Sequence, residues 1–323
     1  LGAGVAAALL ARGDAVRCLQ RGMPPPPLID AGAEVVCGDI RDASVVAAAV
    51  DGCAAVVHVA AKVGVSGPHT DFEAVNVGGT TNVMAAARQW GVERVVHVST
   101  PSVAHIGDPI VGAVAEPAVV EGHTAFYPAT KAAAEQIALS EADHELGVVA
   151  IRPHLIWGPN DTHLVGRIIT RVRGGALPVV GGGTAQVDST YIDNAVDALV
   201  MAVDRVAPNA RCSGRAYVIS NFEPRPIGEL LLDICAAAGI DARLRSVPLS
   251  VAAPLGDLVE RLYGLGPSDR EPPLTRFVAE QLGTAHWFDP HPVLEDIGWT
   301  PRVTIDEGLG RLRGWFDDGG FDA

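Results

Sequence analysis

Short runs of continuously apolar residues alternate along this chain with stretches whose apolar positions recur at helical spacing. An Ala-rich helix is predicted over about residues 3–12, followed by a strand at "DAVRCLQ". After a run of prolines, Pro24 to Pro27, "AEVVCGDI" reads as a strand, "RDASVVAAAVDGC" as a helix and "AAVVHVAA" as a buried strand. A longer helix is predicted over 72–91, a strand at "ERVVHVST", a helix over 126–146 and a strand at "VVAIRP". Strands that are apolar throughout are covered on both faces, and their alternation with helices predicts an α/β fold, a Rossmann-like doubly wound parallel sheet. From about residue 154 the pattern breaks into shorter elements rich in Gly and Pro, which predicts a smaller carboxyl-terminal lobe.

The opening helix raises the question of what leads into it. In a doubly wound dinucleotide-binding fold the first strand runs into a glycine-rich turn, and the last glycine lies at the start of the first helix. Gly2 occupies that place, and Gln20 follows at the end of the next strand, near the spacing of about 20 at which such folds contact an adenosine ribose. On this reading the sequence begins inside the fingerprint, with the first strand before Leu1; packing glycines in an Ala-rich helix are the alternative. The expected division is a dinucleotide-binding domain over 1–153, to which 186–220 return, and a substrate lobe of 154–185 and 221–323.

Composition narrows the partners. With 323 residues and 48% hydrophobic content the chain can bury one large core and a smaller one. Lys and Arg number 24 against 38 Asp and Glu, a net charge of −14 that repels nucleic acid and anionic membranes. Five cysteines without CxxC spacing predict buried free thiols in a reducing cytoplasm, and no apolar stretch is long enough to span a membrane. The ten histidines offer no metal spacing, so no metal is expected; His58 and His97, inside apolar strands, read as satisfied core or cofactor-side residues.

Candidate chemistry centres on "YPATK". Tyr127 and Lys131 are four apart on a predicted helix and so share one face. A phenol with an ordinary pKa of about 10 exchanges protons poorly at neutral pH unless nearby cations stabilise its phenolate. Upstream, "VVHVSTPSV" ends in Ser99, Thr100 and Ser102, hydroxyls at the carboxyl edge of a strand, where doubly wound folds bind ligands.

These residues, in order and spacing, resemble the extended short-chain dehydrogenases/reductases, in a hydroxysteroid dehydrogenase-like branch. The resemblance covers essentially the whole chain. It implies that Tyr127 is the catalytic acid/base, that Lys131 holds the nicotinamide ribose and tunes Tyr127, and that Thr100, contested by Ser99 and Ser102, donates to the substrate oxygen. It also implies cofactor contacts from Asp39 and Ile40 in "GDIRD", Ala60 and Ala61 in "HVAAK", Asn76 in "VNVGGTTN", and Pro153 and His154 in "IRPHLIWGP". Members selective for NAD end the second strand in an acidic residue. Here Gln20 and Arg21 stand there, and a guanidinium suits a phosphate, which favours NADPH, with NAD possible.

After Thr100, Pro101 and Ser102 replace the acidic pair that sugar dehydratases use. "RPHLIWGPND", "VDSTYIDNAVDAL", "GRAYVISNFEPRPIGELL" and "EPPLTRFVAEQLGTAHWF" resemble the 2-alkyl-3-oxoalkanoate reductases of bacterial long-chain olefin biosynthesis. That implies reduction of a 3-keto group on a two-tailed acid. A hydroxysteroid or 4-carboxysterol dehydrogenase and a non-catalytic NADP-binding protein are the alternatives, and a homodimer or a complex with pathway enzymes the expected assembly. Candidates for an apolar tail channel are Leu155, Ile156, Trp157, Leu255, Leu258, Leu262 and Trp287, with ordinary core packing the favoured reading of each; His154, Arg167 and Arg171 are candidates to hold the carboxylate.

Overall fold

The structure is a computed structural model that describes residues 1–64, 67–105, 107–172, 175–263 and 275–321. Helix α1 (Gly2–Ala11) leads into β1 (Arg17–Gln20), α2 (Pro26–Asp30) and β2 (Glu34–Cys37). Asp42 starts α3 (Ala43–Val50) by accepting the amides of Ser44 and Val45, and β3 (Ala55–His58) follows. Then come α4 (His69–Phe72), a π-helical segment (Glu73–Gly78), α5 (Gly79–Gln89), β4 (Arg94–Val98), β5 (Ile110–Ala113), α6 (Phe126–Ser140) and β6 (Gly147–Pro153). The rest of the chain forms β7 (Ile156–Trp157), α7 (Leu164–Val172), β8 (Ala176–Val180), β9 (Gln186–Val187), β10 (Thr190–Tyr191), α8 (Ile192–Arg205), β11 (Arg215–Ile219) and β12 (Arg225–Pro226). It ends in α9 (Ile227–Ala237), β13 (Arg243–Val247), α10 (Leu249–Tyr263), α11 (Arg276–Gly283), β14 (His286–Phe288), α12 (His291–Asp296) and α13 (Ile305–Asp317).

The central sheet is parallel and lies in two pieces, β2-β1 and β3-β4-β6-β11. One helical layer spans both. Leu19 of β1 and Val56 of β3 pack onto the same apolar core as Val46 and Val50 of α3 and Val83 and Met84 of α5. On the other face α1 and α8 cover the sheet, and they approach closely because Gly4 meets Val196, where an added Cβ would lie 2.7 Å from a methyl. Val293, Ile297 and Trp299 from the carboxyl-terminal stretch join this second core. A third core gathers Trp157, Ile168, Leu230, Ile234, Ile305 and Leu312, from α7, α9, α13 and their neighbours.

Two expected helices differ. The helix expected over 72–91 carries the π-helical turn at Glu73–Gly78, and the one expected to reach 146 stops at Ser140. Beyond it the Asp143 carboxylate accepts the amides of Glu145 and Leu146 and pairs with Arg88, which folds that stretch into a turn. The cysteines are free, but only Cys212 and Cys235 are buried as expected; Cys18 and Cys53 are half-buried, and Cys37 is exposed where it ends β2 at the surface. Among the described residues no helix is long and apolar enough to cross a membrane.

Candidate active site

Parallel pairing brings the carboxyl ends of β3, β4 and β6 to one edge. The register that sets His58 against His97 and Val98 against Ile151 places Ala60–Ala61, Ser99–Thr100 and Pro153–His154 side by side there. Gly2, in the first turn of α1, lies against Val59 at the end of β3, with an added Cβ 3.8 Å from that side chain. Asp39 and Ile40 follow β2, where the Ile40 carbonyl accepts from Asn82 on α5 and its side chain fills the space beside Gly79.

Thr100 begins a single 3-10 turn (Pro101–Ala104), its hydroxyl 3.0 Å from that of Ser102 and accepting the Ser102 amide. Burial pushes the Tyr127 phenol up to about 12, and the Thr100 hydroxyl acts in the opposite direction. Of the three contending hydroxyls, Thr100 is the one that bears on the ionisation of Tyr127. Ser99 Oγ is buried with no partner among the described residues.

Helix α6 carries Tyr127 at its start and Lys131 one turn on. Its position is fixed by Glu135, whose carboxylate accepts from Arg152 of β6 at 2.8 Å in an ion pair 1% exposed on both sides. Lys131 is 3% exposed and its Nζ donates to the Val98 carbonyl at 2.7 Å. Burial lowers this ammonium to about 8, with Glu135 opposing. Asn76, on the π-helical turn, is consumed by the protein: its Oδ1 accepts the Lys62 amide at 2.7 Å, and its Nδ2 donates to the Lys62 carbonyl and to Thr130 Oγ1. Single π-turns inside helices concentrate at functional sites. This one ties the loop after β3 to the turn of α6 between Tyr127 and Lys131.

Pro153 ends β6, and His154 beside it is buried, with Nε2 lacking a partner among the described residues. Leu155 follows at φ 41°, a conformation side chains rarely adopt and one that clusters at functional sites. Gln20 ends β1 and Arg21 is exposed just beyond it. Arg41 grips Asp39 through Nε at 3.0 Å and Nη2 at 2.7 Å, which holds that carboxyl down at about 2, with a contribution from Arg21.

The tail-channel expectation is revised. Trp157 is 0% exposed, donates to Ser189 and packs on Tyr191, so it is core. Leu155 and Ile156 pack against cores, Trp287 lies over Gly112, and Leu255 is exposed. Leu258 and Leu262 lie outside the described side chains. A cavity of about 540 Å³ beside the Thr100 turn is lined by other residues, among them Pro101, Ala104, His105, Ile110 and Phe288. Arg167 and Arg171 sit on α7, half-buried and exposed respectively.

Three features escaped the sequence reading. His105 and His286 meet at 3.0 Å between their Nε2 atoms, with His154 edge-on to His286. Asp188 is 0% exposed, accepts the Phe288 amide and is raised by burial to about 6. His97 touches Lys131. Each contact joins residues far apart in sequence, and no local pattern announces it.

Known proteins match this arrangement. A model of the 3-beta hydroxysteroid dehydrogenase/isomerase family matches residues 27–249. The 2-alkyl-3-oxoalkanoate reductase of Stenotrophomonas maltophilia (strain K279a) is 43% identical, over 97% of this chain and 95% of that protein. The 2-alkyl-3-oxoalkanoate reductase of Shewanella oneidensis is 38% identical, over 87% of this chain and 75% of that protein. The crystal structure of gox2253 superposes with a TM-score of 0.78 at 24% identity, covering 99% of this chain and 95% of that one, which shows the fold alone. The chain is an oxidoreductase and belongs to the 3-beta hydroxysteroid dehydrogenase/isomerase family, within the extended short-chain dehydrogenases/reductases.

Proposed function

We propose that this protein uses NADPH to reduce the 3-keto group of long-chain 2-alkyl-3-oxoalkanoates to the 2-alkyl-3-hydroxy acids. The observation that carries the chemistry is that α6 sets Tyr127 one helical turn from the buried ammonium of Lys131, whose Nζ donates to the Val98 carbonyl two residues before Thr100. Similarity over nearly the full length to two reductases of that name supports the substrate class.

The residues fit a dinucleotide. The partnerless Ser99 Oγ and His154 Nε2 lie at the carboxyl edge, and α1 begins beside the end of β3 with a glycine. Asp39 is neutralised by Arg41, and Arg21 makes no hydrogen bond among the described residues, so a 2'-phosphate beside Gln20 would meet cations. The cofactor, when bound, supplies hydride to the ketone carbon. Thr100 and Tyr127 polarise the ketone oxygen by hydrogen bonds, and the Tyr127 phenol passes its proton to that oxygen as negative charge develops there. Lys131 makes this proton easier to release, because an ammonium close by favours the phenolate against the cost of burial. It also presents a donor toward the cofactor ribose.

The experiment is a substrate comparison by steady-state kinetics. Turnover of a 2-alkyl-3-oxoalkanoate with NADPH, at higher efficiency than with NADH, supports the proposal. Oxidation of a 3β-hydroxysterol with NAD and no turnover of keto acids would move the protein to the sterol reading that the family model suggests.

A further inference from the structure

A pair of buried histidines beneath Lys131 takes no part in the steps above. His58 of β3 and His97 of β4 stand opposite each other in the parallel ladder, 5% and 0% exposed, with ring centroids 5.3 Å apart. Hydrogen bonding fixes both tautomers. The Thr80 hydroxyl gives its hydrogen to the Asn76 carbonyl at 2.6 Å, so it accepts at 3.0 Å from His58 Nε2–H. Lys131 Nζ, which as an ammonium has donors only, lies 3.5 Å from His97 Nε2; that nitrogen therefore bears the lone pair, and Nδ1 carries the hydrogen, buried with no partner among the described residues, so His97 is not the fully satisfied core residue expected. Two of the three ammonium N–H bonds thus point into the protein, one at His97 and one at the Val98 carbonyl. The third makes no hydrogen bond among the described residues.

The surroundings keep these rings neutral. Burial and the Lys131 charge hold His58 at about 3 and His97 well below an ordinary imidazole, with His58 adding to the lowering of His97. From α6 the charged groups are Lys131 itself and Glu135, and Glu135 is engaged by Arg152 of β6. From α5 the facing group is the neutral Thr80. A protonated His97 could not accept from an ammonium, so the contact requires a neutral ring. In a pocket where burial works against the Lys131 charge, an aimed lone pair favours the charged form.

We propose that His97 is a positioning residue for the reaction: a neutral acceptor that holds the Lys131 ammonium in its charged form and turns its remaining N–H toward Tyr127 and the cofactor ribose, with His58 packed behind it. This rests on the reading above that Lys131 serves Tyr127 and the cofactor.

The test compares His97→Phe, which keeps a ring but no acceptor, with His97→Gln, which restores an acceptor, and runs Lys131→Met beside them. Two quantities are followed from pH 6 to 9: NADPH affinity by nicotinamide fluorescence without substrate, and kcat. The expected result for His97→Phe is near-normal behaviour at pH 6 and loss of both with an alkaline limb about one pH unit lower than in the parent, the size of one hydrogen bond to a charged group. His97→Gln should move the limb back. A parent-like profile in His97→Phe, while Lys131→Met is crippled, overturns the positioning role alone. Parent-like behaviour of Lys131→Met overturns the reading of the site itself. Should His97→Phe fail to fold, 15N NMR of the unaltered protein decides, with His97 identified by its loss in His97→Gln. The proposal requires a neutral ring protonated on Nδ1 at pH 6.5, and a ring protonated on Nε2 or on both nitrogens contradicts it.

Discussion

At the scale of single residues, the site is a problem of charge in a dry place. Tyr127 at about 12 and Lys131 at about 8 are pushed in opposite directions by the same cause, since burial disfavours phenolate and ammonium alike. Each therefore needs the other's charge state, and the cofactor's, to work near neutral pH. Cofactor choice also rests on single side chains. Replacing the exposed Arg21 by glutamate puts a carboxylate where a 2'-phosphate would lie, beside an Asp39 already gripped by Arg41. The ratio of kcat/KM for NADPH over NADH should fall about tenfold or more in Arg21→Glu, the magnitude of a charge-assisted hydrogen bond. An unchanged ratio would leave Arg21 as a solvated loop charge.

At the scale of elements, the π-helical turn at Glu73–Gly78 links the loop after β3 to α6 through the three hydrogen bonds of Asn76. Asn76→Ala strands the amide and carbonyl of Lys62 and loosens Thr130. It should cost about 1–3 kcal/mol, read as a lower denaturation midpoint at unchanged m-value. A midpoint within error of the parent would show that the turn holds without its side chain. The strands and most helices were legible because burial on two faces leaves continuous apolar runs and helical faces leave spaced ones. The π-turn was not. Its extra residue answers a tertiary demand, the reach of Asn76 to Lys62 and Thr130, and leaves the apolar spacing of the helix nearly unchanged. In the same way the candidates Tyr127, Lys131 and Thr100 stand out by order and spacing, whereas the contact of His97 with Lys131, 34 residues away, depends on how α6 lies on β4. Trp157 is a channel candidate with core packing the favoured reading, and the packing of Tyr191 and Ser189 around it places it in the core.

At the scale of the whole molecule, buried neutral histidines link stability to pH. His58, His154 and His286 are held at about 3, and His97 and His105 are also lowered, all by burial first. The unfolded chain takes up protons on these rings below about pH 6.5 while the folded chain does not, so stability is full above that pH and falls as pH drops from 6.5 toward 3. Asp188, raised to about 6, opposes this over a narrower range, because its folded form holds a proton that the unfolded form has released. The unfolding temperature should accordingly fall between pH 7 and 5.5, before ordinary carboxylates titrate. A flat melt over that interval would mean that these rings open to water.

The central claim is that Tyr127 gives the proton that completes ketone reduction. Its most direct test is Tyr127→Phe, which removes one oxygen and keeps the ring, measured for NADPH affinity by fluorescence and for turnover of a 2-alkyl-3-oxoalkanoate. The expected result is cofactor affinity near that of the parent and turnover lower by about a hundredfold or more, as for a positioned acid; turnover near that of the parent would contradict it.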